Sequence, residues 1–234
     1  MPAEIKVRIK EIIQRNYNVK SLRLEIPGII DFKAGQFLLV RLGIEPELKR
    51  YLSISSSPTE KGYLEFTKKL TESNFSKTLD NLKVGDEVMV QYPFGKFVLD
   101  EIFPKAAFLS GGIGITPIRS ICKYVVDKNL GIDLALVYAN RSFKDVVFKD
   151  DFEVMMKNYP RLKVAHVLCE SEPGFVCTVG RINTEIVKQE IPDYYERKFY
   201  LCGPPQMVEA MRKLLAEDLK VSKDLIIIEN FQGY

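Results

Sequence analysis

The chain has 234 residues, of which 46% are hydrophobic and 28% are charged, and its formal net charge is +3. This composition excludes a disordered chain, and the weak net charge gives no support for nucleic-acid binding. Apolar runs stay below the ~20 residues of a membrane-spanning helix and the N-terminus has no signal-peptide core, so we expect a cytoplasmic protein without a membrane span.

Short segments rich in β-branched and aromatic residues fill the first hundred positions, and turn signals separate them. The predicted strands are 4–11, 21–26, 36–41, 51–55, 63–67 and 87–91. Strands of this length and spacing are typical of an antiparallel barrel or sandwich. One predicted helix, 73–82, interrupts the series, and Ser73 or Asn74 is suited to cap it.

From residue 105 onwards, apolar strands alternate with helices. The predicted strands are 106–110, 133–139, 162–168, 198–202 and 225–228, and the predicted helices are 116–127, 148–157, 183–189 and 204–220. Five strands alternating with helices predict a doubly wound parallel sheet. We therefore predict a six-stranded antiparallel barrel in residues 1–103, followed by a five-stranded parallel α/β domain in residues 104–234, each large enough for its own core.

The polar inventory argues against metal or triad chemistry. Cys122, Cys169, Cys177 and Cys202 form no CxxC pair, and the single histidine, His166, lies in an apolar run. We therefore predict no metal site, no Ser–His–Asp or Cys–His machinery, and mostly buried, reduced thiols. If the chain does chemistry, a cofactor is expected to carry it.

The strongest motif is SGGIGITP, which runs from Ser110 to Pro117 between the first α/β strand and its helix. Gly111, Gly112 and Gly114 permit a tight turn whose backbone N–H groups can approach a phosphate at a helix N-terminus. Pro117 stands where the usual dinucleotide fingerprint has its last glycine. A purely structural turn is the alternative interpretation.

Two further segments are candidates for ligand contact. CGPP, at 202–205, ends the fourth α/β strand, at the edge where parallel sheets collect ligands. RYLSISSSP, at 50–58, offers an arginine for a phosphate and serines for a polar ring edge. A strand-to-helix junction and a polar edge strand explain the two segments equally well.

Together, RYLSISSSP, a serine-started helix, YPFGKF, GGIGITP and CGPPQMV resemble, in this order, the ferredoxin–NADP reductase family over essentially the whole chain. The resemblance implies an FAD-binding barrel, an NAD(P)H-binding α/β domain and hydride transfer between NAD(P)H and FAD. Electrons would pass to ferredoxin, free flavin or another small acceptor. An electron-transfer subunit that is active only with its partner is the alternative, and a nucleotide-binding regulator without turnover is a third possibility.

The resemblance implies a role for each residue of the arginine motif. Arg50 would bind the FAD pyrophosphate, and Ser53 would lie near the reactive flavin nitrogen. Leu52 occupies the family's aromatic position and Tyr51 precedes it, and both are candidate cofactor contacts. Neighbouring strand residues face opposite ways, so the group that covers this face of the flavin stays open.

Further FAD contacts are implied along the chain. The strand with Thr67 and Lys69 would contact the flavin through its backbone, and Ser76 would contact a phosphate. Near the C-terminus, Phe231 and Tyr234 are candidates for the aromatic residue that covers the flavin.

On the nicotinamide side, Thr116 would lie near the contact between the two rings, and Cys202 would be a positioning group in the hydride-transfer region. Ser53, Thr116 and Cys202 are thus the residues predicted closest to the reaction. The remaining predicted nicotinamide-side contacts are Gly111, Gly112, Gly114, Pro117, Gly203 and Pro204.

Two charged residues bear on the choice between NADH and NADPH. Arg141 follows the second α/β strand, where a guanidinium can meet a 2′-phosphate. Glu170 follows the third strand, where a carboxylate repels that phosphate and suits free ribose hydroxyls. The pair leaves both cofactors open and favours NADH.

Overall fold

The structure, a computed structural model, describes residues 2–28 and 31–229. It confirms the predicted class, with an antiparallel sheet of six strands followed by a parallel sheet flanked by helices. Within the described ranges, every helix is too short or too polar to cross a bilayer.

The antiparallel sheet has the strand order β4-β3-β6-β1-β2-β5. Its strands are β1 (Ile5–Asn16), β2 (Val19–Glu25), β3 (Phe37–Arg41), β4 (Lys49–Ser53), β5 (Leu64–Lys69) and β6 (Glu87–Phe94), with helix α1 (Asn74–Asp80) before β6. Alternation in β1 places Val7 and Ile9 inside and their charged neighbours outside, as a period of two requires.

The sheet curls until its two edge strands meet. A single antiparallel bridge joins Ile54, just after β4, to Phe66 in β5, and the Ser55 N–H donates to the Glu65 carbonyl at 2.8 Å. Helix α1 inserts Phe75 and Leu79 into the same apolar core. The result is the predicted barrel, closed by pairing over a short stretch.

The parallel sheet has the order β10-β9-β8-β7-β11-β12. Its elements are β7 (Lys105–Gly111), α2 (Ile115–Lys128), β8 (Asp133–Asn140), α3 (Lys149–Asn158), β9 (Leu162–Leu168), β10 (Thr178–Val179), α4 (Thr184–Glu190), β11 (Lys198–Cys202), α5 (Pro205–Lys213) and β12 (Ile226–Glu229). The five predicted strands are present. Strand β10 adds a two-residue edge that is too short to produce a periodic signal.

The last predicted helix, 204–220, differs from expectation in its second half. Helix α5 ends at Lys213, and Leu214–Asp218 continues as a π-helical turn in which the Leu219 N–H donates to the Leu214 carbonyl at 3.0 Å. An apolar stripe does not distinguish a π turn from an α turn over five residues.

Helices cover both faces of the parallel sheet, as a doubly wound fold requires. Helices α2 and α3 pack on one face, and α4 and α5 pack on the other. Val19, Ala34 and Phe97, from the antiparallel part of the chain, join the core beneath α2. The two sheets therefore share buried apolar contacts.

Candidate functional site

The topology of the parallel sheet marks one crevice. From β7 the chain winds outward through β8 to β9 and β10, and it then returns to β11 on the other side of β7. The carboxyl ends of β7 and β11 therefore flank the switch point, where open α/β sheets bind ligands. The segments that follow these two strands are GGIGITP and CGPP.

These two segments touch each other through their glycines. A Cβ added at Gly114 would lie 2.4 Å from the Cys202 carbonyl oxygen, and one at Gly111 would lie 2.2 Å from the Met207 sulfur. Gly203 faces the Gly111 backbone: a Cβ added at Gly203 would lie 3.1 Å from the Gly111 nitrogen. The structure thus brings the two predicted motifs together, and any side chain at Gly114 would push their backbones apart, whereas one at Gly111 would first have to displace the Met207 side chain.

Helix α2 begins directly after this loop. Gly112 has a φ of 53°, a conformation that favours glycine, and the Thr116 hydroxyl donates to the Ile113 carbonyl at 3.1 Å. Pro117 is buried in the first turn, while Pro204 is exposed across the crevice. Ser110, at the end of β7, has a buried hydroxyl without a hydrogen-bond partner in the described part of the chain. The glycine cradle and this hydroxyl fit a nucleotide.

Cys202 ends β11 in full burial, and burial raises the pKa of its thiol well above its usual value, with the charge of Glu229 acting in the same direction. Glu229 is its register partner on β12. Burial raises the pKa of Glu229 to about 7. We did not predict a role for Glu229, although an acid that ends the apolar run IIIE was a signal in the sequence.

The barrel presents a group of positive charges, Arg50, Lys68 and Lys69, which we term the cationic cluster. The Arg50 guanidinium donates to the Glu47 and Lys49 carbonyls at 2.9 and 2.7 Å and lies 5.5 Å from the centre of the Phe75 ring. No ion pair found in the described residues includes Arg50.

Burial, followed by the charges of Arg50 and Lys69, lowers the pKa of Lys68 to about 8. Unlike charges in close proximity favour ionisation and like charges oppose it, so an anion at this cluster would relieve the repulsion. The cluster fits a diphosphate group. Lys68 belongs to the strand predicted to contact the cofactor through its backbone, but no role was predicted for its side chain, whose burial depends on tertiary packing.

Ser76 lies in the first turn of α1. Its backbone N–H donates to the Ser73 hydroxyl at 3.3 Å, which makes Ser73 the N-cap, and its own buried hydroxyl is 3.1 Å from that of Thr71. The sequence offered Ser73 or Asn74 as the N-cap of this helix, and in the structure the N-cap is Ser73.

The structure separates Tyr51 from the other residues of its motif. Leu52 packs into the barrel core and Ser53 is buried, whereas the Tyr51 ring packs edge-on against Phe37 and Phe94 with centroids 5.5 and 6.0 Å apart. Adjacent strand residues point to opposite faces. Tyr51 is therefore not brought together with the Arg50 and Leu52 side chains.

The Thr67 side chain is engaged in hydrogen bonds within the barrel. Its hydroxyl lies 2.7 Å from that of Ser21 and 2.8 Å from that of Ser55, inside the barrel wall. The Thr67 hydroxyl is therefore occupied within the barrel wall. Lys69 keeps its ammonium group at the surface, 3.7 Å from Asp145.

Arg141 and Glu170 are both exposed, after β8 and β9 respectively. Phe231 and Tyr234 lie outside the described residues. Among the described residues, no group of three or more His, Cys, Asp or Glu side chains is arranged to hold a metal ion.

A separate cleft of about 780 Å³ opens at the other end of α2, where Tyr124 and Lys128 face Phe32, Lys61 and Leu99. It is remote from the glycine segments, which adjoin the first turn of α2.

Comparison with known proteins agrees with this geometry. The family description "Oxidoreductase FAD-binding domain" matches residues 4–99, and "Oxidoreductase NAD-binding domain" matches residues 108–213. NADH-cytochrome b5 reductase 1 of Dictyostelium discoideum is 31% identical, over 88% of this chain and 75% of that protein. The chain belongs to the ferredoxin reductase-like family of FAD- and NAD-binding oxidoreductases.

Other relatives of this ferredoxin reductase-like protein extend the comparison. The glycine betaine monooxygenase reductase subunit of Chromohalobacter salexigens is 33% identical over 89% of this chain, which spans 59% of that protein's length. The cytochrome b5 reductase domain of Ulva prolifera nitrate reductase superposes with a TM-score of 0.86 at 21% identity, covering 97% of each chain. At that identity the superposition shows the fold alone.

Proposed function

We propose that this chain transfers hydride between NAD(P)H and FAD and passes the electrons to a redox protein or a small acceptor. The observation that carries the proposal is the contact between the two glycine segments, where Gly114 adjoins the Cys202 backbone at the switch point of the sheet. The sparse catalytic inventory is consistent with this reaction, since hydride transfer between stacked rings requires no side-chain nucleophile.

On the barrel side, residues 1–103 are the proposed FAD-binding domain. The cationic cluster and Ser76 are proposed to hold the diphosphate, because guanidinium and ammonium donors make strong charge-assisted contacts to phosphate oxygens. Leu52 and Ser53 are proposed to border the flavin ring, and the backbone of Thr67 to contact it. When bound, FAD supplies the acceptor for a hydride and can release electrons singly or in pairs.

On the nicotinamide side, residues 104–234 are the proposed NAD(P)-binding domain. The loop with Gly111, Gly112 and Gly114 would take the phosphates, because its backbone N–H groups have no side chains in front of them. Thr116 and Cys202 would orient the nicotinamide and keep water from it. The raised pKa of Cys202 favours a neutral thiol, which suits a positioning role rather than a nucleophilic one.

We propose NADH as the preferred donor, because the exposed Glu170 carboxylate would repel a 2′-phosphate. Arg141 argues for NADPH from the neighbouring strand end and defines the alternative. The named relatives reduce a monooxygenase or a cytochrome, which supports a redox protein as the acceptor. A subunit that turns over only with its partner is the second candidate.

The test combines an absorbance spectrum with rapid kinetics. Purified protein that has been incubated with FAD and then separated from unbound FAD by gel filtration should show visible flavin bands, and stopped-flow mixing with NADH should bleach them faster than mixing with NADPH. Equal rates with both donors would contradict the NADH preference. Absence of flavin bands after FAD addition would favour a nucleotide-binding regulator. Ferricyanide reduction without any added protein partner would exclude the partner-dependent alternative.

A further inference from the structure

A short segment between β4 and β5 is fastened to helix α2. The Arg119 guanidinium donates to the Ser55 carbonyl at 3.0 Å, and the Ser120 hydroxyl donates to the Ser56 carbonyl at 2.6 Å. Consecutive residues of the helix therefore hold consecutive carbonyls of the barrel. Further along the same helix, Asp127 accepts a hydrogen bond from the Thr59 hydroxyl at 2.5 Å.

Arg119 is buried, with 3% of its surface exposed, and its donors are occupied by groups from both domains. It contacts both carboxylate oxygens of Glu60, one of them at 3.0 Å, and it also donates to Asp151 Oδ1 from two nitrogens at 2.7 and 3.1 Å. Burial alone would raise the pKa of Glu60, but hydrogen bonding and the charge of Arg119 hold that pKa below its usual value.

The contacts close into a ring of five residues, Arg119, Asp151, Arg15, Glu65 and Ser55, which we term the interdomain ring. Arg15 reaches Glu65 at 3.1 Å and Asp151 at 3.7 Å. The fully buried Glu65 accepts a hydrogen bond from the Ser55 hydroxyl at 2.9 Å. Ser55 is thus held from the barrel by Glu65 and from the nucleotide domain by Arg119.

This ring stands next to both halves of the proposed reaction site. Ser55 follows Ser53 by two residues, about 7 Å along an extended chain. Arg119 follows Thr116 by three residues, about 5 Å along the helix axis. A displacement within the ring would therefore change the separation of the strand that borders the flavin from the loop that holds the nicotinamide.

We propose that Arg119 is a positioning residue that sets the distance between the flavin ring and the nicotinamide ring. This inference rests on the proposed hydride transfer. Misplacement of reacting groups by about 1 Å can lower a rate ~100-fold. Loss of Arg119 should therefore slow flavin reduction while the binding of each cofactor is retained, since the hydrogen bonds of its guanidinium go to Ser55, Glu60 and Asp151 and not to the glycine segments or the cationic cluster.

The chain contains a matched control in Arg197. This arginine is also buried, donates to both oxygens of Asp193 at 2.6 and 3.0 Å, and donates to the Ala106 and Asp133 carbonyls. All these groups lie in the nucleotide domain, and the two carbonyls belong to the starts of β7 and β8, opposite the proposed site. Its loss should destabilise the fold without moving one domain against the other.

The experiment compares Arg119→Met and Arg197→Met in the FAD-loaded protein. At saturating NADH, we expect flavin reduction in Arg119→Met to be about 10- to 100-fold slower, and the long-wavelength charge-transfer absorbance of the stacked rings to weaken. The KM for NADH, FAD occupancy and ferricyanide reoxidation of dithionite-reduced enzyme should stay unchanged. Arg197→Met should lower the melting temperature and leave the reduction rate as in the wild type.

Arg119→Lys should recover part of the rate, because one ammonium donor can still reach the Ser55 carbonyl or Glu60. If Arg119→Met does not fold, the double variant Arg119→Met/Glu60→Gln removes the unpaired carboxylate and takes its place. Wild-type reduction rates in these variants, or an equal slowing in Arg197→Met, would overturn the positioning role. A wild-type enzyme that NADH does not reduce would instead overturn the proposed function.

Discussion

Gly114 and Cys202 belong to different loops, yet a Cβ on Gly114 would stand only 2.4 Å from the Cys202 carbonyl oxygen. That distance is far below van der Waals contact with a backbone atom, which has no rotamer by which to withdraw. The two loops are therefore held at their present separation only while residue 114 lacks a side chain.

We expect Gly114→Ala to slow flavin reduction by NADH ~100-fold, because the added methyl group must displace one loop by about 1 Å. FAD content should be unchanged, since Gly114 is not one of the proposed diphosphate contacts. Gly131→Asn is the matched control, because Gly131 lies in the segment before β8, has a φ of 74°, which asparagine tolerates, and has nothing within 4 Å of its added Cβ. Stopped-flow kinetics on both variants would decide, and equal rates in the two would contradict the close contact.

Arg50→Met should weaken FAD binding about 10- to 150-fold, as expected for loss of a charge-assisted contact worth ~1.5–3 kcal/mol. Lys49→Met removes the same charge from an exposed neighbour and should leave the affinity unchanged. Titration of the FAD-free protein, followed by flavin fluorescence, measures both dissociation constants. A similar loss in the two variants would indicate a general effect of charge instead of a diphosphate contact.

The lowered pKa of Lys68 predicts that the protein takes up a proton when it binds FAD near pH 8.5. Its pKa is lowered to about 8 in the folded protein, so between pH 8 and the ordinary lysine value the native state binds fewer protons than the unfolded state. The stability of the FAD-free protein should accordingly rise with pH in this range. A bound diphosphate would restore the proton, and FAD affinity should fall by up to about tenfold per pH unit above pH 8.

Calorimetric titration in two buffers with different ionisation enthalpies measures that proton. Lys68→Met should abolish the uptake, whereas Lys163→Met, on the exposed side of β9, should retain it. Identical binding heats in the two buffers for the wild type would contradict the prediction.

Three of the four thiols should separate into a reactive and a protected class, while Cys177 is of intermediate exposure. Cys169 is exposed, while Cys122 and Cys202 are fully buried with thiol pKa values raised by burial. Iodoacetamide at pH 8 should therefore modify Cys169 first and leave Cys122 and Cys202 unlabelled, with NADH-dependent reduction preserved. Peptide mass spectrometry gives the order of labelling. Inactivation that follows modification of Cys202 would show an accessible thiol there.

The sequence predicted the two sheets well because each has a distinct apolar period. The glycine segments were also visible, since their composition and their place after strands carry a backbone requirement. Strand parity alone predicts that the Tyr51 side chain points away from that of Leu52, but not that its ring packs against Phe37 and Phe94.

Contacts between distant segments could not be predicted in the same way. Arg119 meets Glu60 because α2 docks on the segment after β4, and it meets Asp151 because α2 packs beside α3; nothing local in ITPIRSICK specifies either partner. The same holds for the lowered pKa of Lys68, which arises from tertiary burial. Such features depend on how the two domains pack, which a single sequence pattern does not encode.

The barrel closes through one bridge, between Ile54 and Phe66, so β4 and the end of β5 each keep an edge without a neighbouring strand in the described structure. Unprotected strand edges are templates for pairing with another polypeptide. A second copy of the chain could add its own strand there, so self-association is expected to begin at these two edges.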